Sequence, residues 1–136
     1  MLTPEEQALL RGTPLVMLES REAAATSFYE TLFVQCPELR AMFPKEMSEM
    51  ARKFSATLVI AINSLNDWEA LRPVIEALAR RHLSYGVQLD HYALVRRALM
   101  ASLERISATH AEVAVWARVY DHLAEHMIAT AYPEAP

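Results

Sequence analysis

Apolar positions along this chain recur three and four residues apart almost from end to end, the spacing of one helix face after another. The clearest case runs from Trp68 to Val87. Leu71 is followed 3, 4, 7 and 11 residues later by Val74, Ile75, Leu78 and His82, so a 3.6-residue period puts all five on one stripe. Gly86 is a natural stop for that helix, and Arg80 and Arg81 place cationic charge in its last turn, where the dipole favours it. A ligand-capable imidazole therefore ends an apolar face. By itself that describes a core histidine equally well, because a buried polar group needs only one or two partners and a backbone carbonyl can supply them.

The same reading divides the rest of the chain into helices and corners. Thr3, Pro4 and Glu6 form a helix start with a capping box, and Gly12-Thr13-Pro14 breaks that helix before the chain resumes through Leu15 to Leu18. A helix over Arg21 to Val34 turns Ala24, Ala25, Phe28, Tyr29 and Leu32 inward, and Pro37 forbids its continuation. A short turn from Pro37 to Met42 leads to Phe43-Pro44, an aromatic residue pinned at a corner, and Lys45 to Glu49 is a polar loop or a ragged helix entry. The next helix, Met50 to Leu65, carries Met50, Phe54, Leu58, Ala61, Ile62 and Leu65 on one stripe. Asn66-Asp67 stops it and Asp67 caps the helix over Trp68 to Ser84, so the two pack as neighbours. Asp90 caps a helix from His91 to Ile106 with Tyr92, Val95, Leu99 and Leu103 inward. Thr109 and Glu112 form a second capping box, opening a last helix to Ala131 with Val113, Trp116, Tyr120, Leu123 and Met127 inward; Pro133 ends it.

Composition sharpens this picture. A hydrophobic share of 53% with only two glycines suits continuous helices and excludes a glycine-punctuated β fold, so the expected class is all-α, one domain over residues 1–136. The net charge of −4 leaves no electrostatic footprint for nucleic acid or an anionic membrane. Cys36, the single cysteine, excludes an intramolecular disulfide and reads as a buried free thiol. An acidic amino terminus and the lack of any apolar run near ~20 residues make the expected location cytoplasmic, with no membrane span.

Candidate chemistry narrows quickly. His122-Leu123-Ala124-Glu125-His126 matches the H-x-x-E-H pattern of inverted zinc peptidases, in which two histidines one turn apart share a metal. That chemistry needs a third ligand downstream, where little chain remains, and both histidines fall beside the core stripe on the solvent side. With Gly12 and Gly86 the only glycines, a phosphate-cradling loop is excluded. Composition alone leaves an all-helical interaction module as the default.

Phe28-Tyr29, Pro37, Phe43-Pro44, Met50-Ala51-Arg52-Lys53-Phe54, the string Leu78-Ala79-Arg80-Arg81-His82-Leu83-Ser84-Tyr85-Gly86-Val87 and Asp90-His91-Tyr92 change that balance. Together they closely resemble the bacterial single-domain globins and the haem domain of flavohaemoglobins, over Pro14 to about Ala129. The Arg-Arg-His-x-x-Tyr-Gly-Val string and its spacing to Tyr92 are the specific part. The resemblance implies a globin fold of six to eight helices around haem b, with His82 as the proximal iron ligand and its second ring nitrogen donating to the Leu78 carbonyl. Phe43 and Phe54 would border the haem, as would Leu78, Arg81, Tyr85, Val87 and Tyr92. Tyr29 would donate its hydroxyl to a bound gas and steady oxygen during turnover. Lys53 would lie at the haem edge, pairing with a propionate or remaining solvated.

Three departures from that family stand out, one of them Phe54, bulkier than the leucine or valine usual there and expected to narrow ligand access. Met50 occupies a position where relatives usually carry histidine or glutamine; it donates no hydrogen bond, and its thioether is a candidate sixth iron ligand. Tyr92 matches a tyrosine that in flavohaemoglobins joins a glutamate of the last helix, but the count from Trp116 puts Ala131 at that place. The implied function is reversible binding of oxygen, nitric oxide or carbon monoxide. At most it extends to nitric oxide dioxygenation with electrons from an external reductase, because the chain ends where flavin and nicotinamide domains would follow. A six-coordinate redox or gas-sensing globin and a haem-free helical interaction module stay open, as does the choice between monomer and homodimer.

Overall fold

In the computed structural model, which describes residues 1–106 and 108–134, the chain forms six α-helices and one 3-10 helix, with no strand among those residues. The α-helices are α1 (Pro4–Arg11), α2 (Arg21–Gln35), α3 (Ser48–Ser64), α4 (Trp68–Ser84), α5 (His91–Arg105) and α6 (His110–Ala131); the 3-10 helix spans Pro37–Met42. The all-α class therefore holds. No helix among the described residues is long and apolar enough to cross a membrane.

Local chemistry sets most of the boundaries. Both expected capping boxes form, Thr3 with Glu6 and Thr109 with Glu112, each pairing two backbone donors that the helix itself leaves unsatisfied. Between α1 and α2 the chain does not resume a helix through Leu15 to Leu18 but runs in successive turns. Thr13 is fully buried there, donating to the Leu10 carbonyl (2.6 Å) and accepting from the Trp116 indole (3.2 Å), which ties the break to α6. Asp67 and Asp90 precede their helices as expected, yet neither carboxylate makes a capping bond. At the first corner Asn66 does the tying instead, accepting from the Leu2 amide (2.8 Å) and donating to the Leu2 carbonyl (3.0 Å). At the second, the Gln88 amide donates to Nδ1 of His91 (3.0 Å).

The core joins α2, α5 and α6, with Phe28, Leu32, Leu103, Trp116 and Val119 essentially sealed. Helix α2 packs along α5 and crosses α3, whose small buried residues Ala51 and Ser55 allow a close approach. Helix α4 packs against α6 and meets α3 more lightly, and it has no backbone contact with α2 or α5. Cys36 is a buried free thiol, its Sγ 3.5 Å from the Arg97 guanidinium.

Candidate functional site

Burial along α3 and α4 defines an opening. On α3 the stripe is sealed at its C-terminal end, at Ala61, Ile62 and Leu65, and only half-buried at Met50, Phe54 and Leu58. Helix α4 shows the mirror image: Leu71 and Ile75 are sealed, Leu78 and His82 half-buried. The two helices share a tight corner at residues 65–67 and run back antiparallel, so complete burial at the corner and partial burial at the far ends describe two arms of a V. Its open end lies between Met50, Phe54 and Leu58 on one arm and Leu78 and His82 on the other.

Val74 belongs to neither arm. It is 46% exposed, against the expectation of a buried stripe position. Leu71, Ile75 and Ala79 are the sealed residues of α4, which centres its packed face on Ile75; at about 100° per residue Val74 lies roughly 100° away from that centre.

His82 is positioned from both sides. Its Nδ1 lies 2.9 Å from the Leu78 carbonyl one turn earlier, and a carbonyl only accepts, so the proton sits on Nδ1 and Nε2 keeps its lone pair. Burial lowers the imidazole pKa, the bond to Leu78 opposes that shift, and the neighbouring Arg81 charge adds to it, so the ring is held neutral. Just beyond, Gly86 adopts φ +90°, the Gly86 amide donates to Leu83 (3.1 Å) and the Val87 amide to His82 (3.1 Å). This Schellman pair ends α4 at the histidine and fixes the direction of the chain leaving it. The Tyr132 hydroxyl then donates to the Val87 carbonyl, pinning that corner to the end of α6.

Across the opening stands an aromatic group built on α2, the 3-10 helix and α3. The Tyr29 ring packs at 4.9 Å from Phe28 and 5.5 Å from both Phe43 and Phe54, while Phe28 and Phe54 stack at 4.7 Å. Tyr29 is 8% exposed, and none of the described residues accepts a hydrogen bond from its hydroxyl. Burial holds the phenol well above its usual range, so it is a donor at every physiological pH. Met50 is half-buried one turn before Phe54, packed against the core.

The remaining candidates lie further out. Lys53 is exposed and pairs with Glu49 at 3.6 Å. Arg81 is exposed, Tyr85 is 72% exposed at the end of α4, and Val87 is half-buried. Tyr92 is buried, and its hydroxyl has no hydrogen-bond partner; burial and the nearby Tyr132 push its pKa up to about 12. Ala131, at the place of the family's glutamate on α6, carries no carboxylate, and the next residue, Tyr132, reaches this corner instead. No motif singles out Tyr132; an aromatic residue between the last helix and Pro133 is the only signal for it in the sequence.

His122 and His126 do not face solvent. Both are half-buried against the Trp68 indole, with ring centroids 4.7 and 5.0 Å away, and Nε2 of His126 bonds Glu76 of α4 at 2.8 Å. Their one-turn spacing serves the α4–α6 seam. Among the described residues no three His, Cys, Asp or Glu side chains gather as a metal set.

A flat cofactor that takes one axial nitrogen and otherwise apolar contacts fits these residues. The donor set is a single neutral imidazole with its tautomer fixed, the opposite wall is aromatic and thioether, and among the described residues one buried hydroxyl, on Tyr92, lacks a partner.

Comparison with known proteins gives the family. The globin family profile matches residues 26–127. A flavohemoprotein of Bordetella parapertussis is 33% identical over 134 residues, covering 94% of this chain and 33% of that protein, so the chain spans about a third of the length of such relatives. An uncharacterized globin-like protein of Aquifex aeolicus is 26% identical, with 94% and 93% covered. In fold, a bacterial globin from Campylobacter jejuni superposes with a TM-score of 0.84 at 21% identity, covering 96% of this chain and 97% of that one.

Proposed function

This chain belongs to the globin family, and on that premise we propose that it holds haem b through His82 and reversibly binds a diatomic gas, whether oxygen, nitric oxide or carbon monoxide, in the cytoplasm. Haem iron, when bound, supplies the coordination site for the gas. The observation that carries the reading is the 2.9 Å contact between Nδ1 of His82 and the Leu78 carbonyl, which leaves Nε2 as the one basic ring nitrogen at the open end of the α3–α4 cleft.

Each of the chain's other residues has a task in this reading. Tyr29 would donate its hydroxyl to a ligand that carries partial negative charge, and a donor in an aromatic, mostly buried surround is worth most there. Phe43, Phe54 and Met50 exclude water from that side, and Leu78 and Val87 cover the cofactor on the His82 side. Arg81, Tyr85 and Lys53 stand at the rim. Tyr92 has no acidic hydrogen-bond partner among the described residues, so in this reading no carboxylate acts through it on the imidazole. The reading extends to conversion of nitric oxide and oxygen to nitrate, with one electron returned per turnover by a reductase.

A visible spectrum of the purified protein with one equivalent of haemin tests this. The expected result is a Soret band, a five-coordinate ferric form and a carbonmonoxy form, all lost in His82→Ala and restored by added imidazole. A low-spin ferric spectrum that disappears in Met50→Leu would assign the sixth position to Met50 and favour a redox or sensing role. No Soret band would overturn the haem reading in favour of a helical interaction module.

A further inference from the structure

The bend between the 3-10 helix and α3 has little backbone hydrogen bonding of its own. The Phe43 amide donates to the Arg40 carbonyl (3.2 Å), and among the described residues no backbone amide donates to the carbonyls of residues 43, 44 or 45. One side chain reaches all three. The Arg40 guanidinium donates through Nη1 to the carbonyls of Phe43 (3.4 Å) and Pro44 (2.8 Å) and through Nη2 to that of Lys45 (2.9 Å). Arg40 and Phe43 are therefore bonded in both directions. No carboxylate among the described residues draws the guanidinium away: Glu46 accepts from the Ser48 amide (3.0 Å), and Glu49 pairs with Lys53.

The same guanidinium lies over the Phe33 ring, 5.1 Å from its centroid, within cation–π range. Phe33 meets Phe43 edge-on at 5.2 Å and stacks at 6.1 Å on Tyr29, one turn earlier on α2, while Phe43 meets Tyr29 edge-on at 5.5 Å. The three rings close a triangle, and Arg40 holds two of its corners, Phe33 by its face and Phe43 by its backbone. A cation in the last turn of a helix ordinarily complements the helix dipole at the helix's own carbonyls. Here the acceptors lie beyond the helix, and several carbonyls in a curved chain suit the planar fork of arginine better than a point charge. Two of the three bonds are exposed, so water replaces a lost donor there and the chain still folds; what the bonds decide is where the bend sits.

We propose that Arg40 is a positioning residue for the gas-binding side of this protein. By fixing residues 43–45 and the Phe33 ring, it holds Phe43 against Tyr29 and so sets the direction in which the Tyr29 hydroxyl donates. The proposal rests on the haem reading above, in which Tyr29 donates to the bound ligand. Arg40 acts only through the rings of Phe33 and Phe43. A hydrogen bond weakens steeply once donor and acceptor are misaligned, so a small shift of Phe43 lowers oxygen retention without emptying the site.

The test compares the haem-loaded parent protein with Arg40→Ala and Arg40→Lys, each also made in a Tyr29→Phe background. Oxygen dissociation, followed by displacement with carbon monoxide, should quicken about three- to tenfold in Arg40→Ala, within the coupling found between residues in contact. Arg40→Lys keeps a charge over Phe33 but cannot fork across three carbonyls, and it should quicken nearly as much, which also covers the case that Arg40→Ala does not fold. In the Tyr29→Phe background neither change should add anything, because the bond that Arg40 aligns is already gone. Carbon monoxide dissociation should respond far less than that of oxygen. In the diamagnetic carbonmonoxy form, nuclear Overhauser contacts between the ring protons of Phe43 and Tyr29 should weaken in both variants. An unchanged oxygen rate in either Arg40 variant, or an equal acceleration in the Tyr29→Phe background, would overturn the positioning role while leaving haem binding intact. A parent protein that develops no Soret band with haemin would overturn the haem reading and this role with it, so the band distinguishes the two failures.

Discussion

Replacing Tyr29 by phenylalanine isolates one atom. The ring contacts with Phe28, Phe43 and Phe54, at 4.9 to 5.5 Å, are made by carbon and survive the change. The hydroxyl has no protein acceptor, so its removal breaks no internal hydrogen bond. Stability without ligand should therefore change little. With haem and oxygen bound, the same hydroxyl donates to a partly negative atom, a bond of about 1.5–3 kcal/mol. At 1.4 kcal/mol per factor of ten, Tyr29→Phe should speed oxygen dissociation by about ten- to a hundredfold. Carbon monoxide carries far less charge on its outer atom and should respond much less. Stopped-flow displacement of oxygen by carbon monoxide, alongside flash photolysis of the carbonmonoxy form, gives both rates. An unchanged oxygen dissociation rate, or an equal acceleration for both gases, would refute the donor role and leave the residue as wall packing only.

Other consequences concern the scaffold. Gly86→Ala should cost about 1 kcal/mol in urea unfolding, because φ is +90° while no atom lies within 4 Å of an added Cβ, making the penalty one of backbone alone. Thr13→Val should cost about 1–3 kcal/mol by stranding the buried Trp116 indole N–H, and a cost near zero would mean the 3.2 Å contact is not a working bond. Glu76 titrates below the usual carboxylate range, chiefly through its bond to His126 and then through Arg72. A lowered acid contributes stability that is fully present above about pH 4.5 and is lost as pH falls through the folded value. Glu76→Gln should flatten that part of the stability profile, and parallel profiles for the two proteins between pH 6 and 3 would show that the α4–α6 seam does not depend on the charge.

Much of the site is carried by short-range pattern. His82 at the end of an apolar stripe, Gly86 behind it, Tyr29 beside Phe28 on one face of α2 and both threonine capping boxes follow from spacing and local hydrogen bonding, which a linear sequence encodes directly. The inward set of α2, Ala24, Ala25, Phe28, Tyr29 and Leu32, is buried throughout for the same reason. Other features were legible only in part. Asp67 and Asp90 stand where caps belong, but competing partners decide whether a carboxylate turns to its helix, and here Asn66 and His91 tie the corners.

Position along a helix predicts which residues share a face; it does not say how far a neighbouring helix accompanies that face. Only packing revealed that Val74 drops out of the α4 stripe, that His122 and His126 sit against Trp68 and Glu76 instead of in solvent, and that Tyr132 closes the corner below Tyr92. Those facts depend on contacts between residues 45 to 60 positions apart, set by where α6 crosses α4. The divergence of α3 from α4 belongs to the same class. His82 is marked as a ligand candidate by its own helix, but the cleft that gives it something to bind exists only because the two arms part beyond residues 65–67, leaving Met50, Phe54 and Leu58 facing an opening instead of a seam.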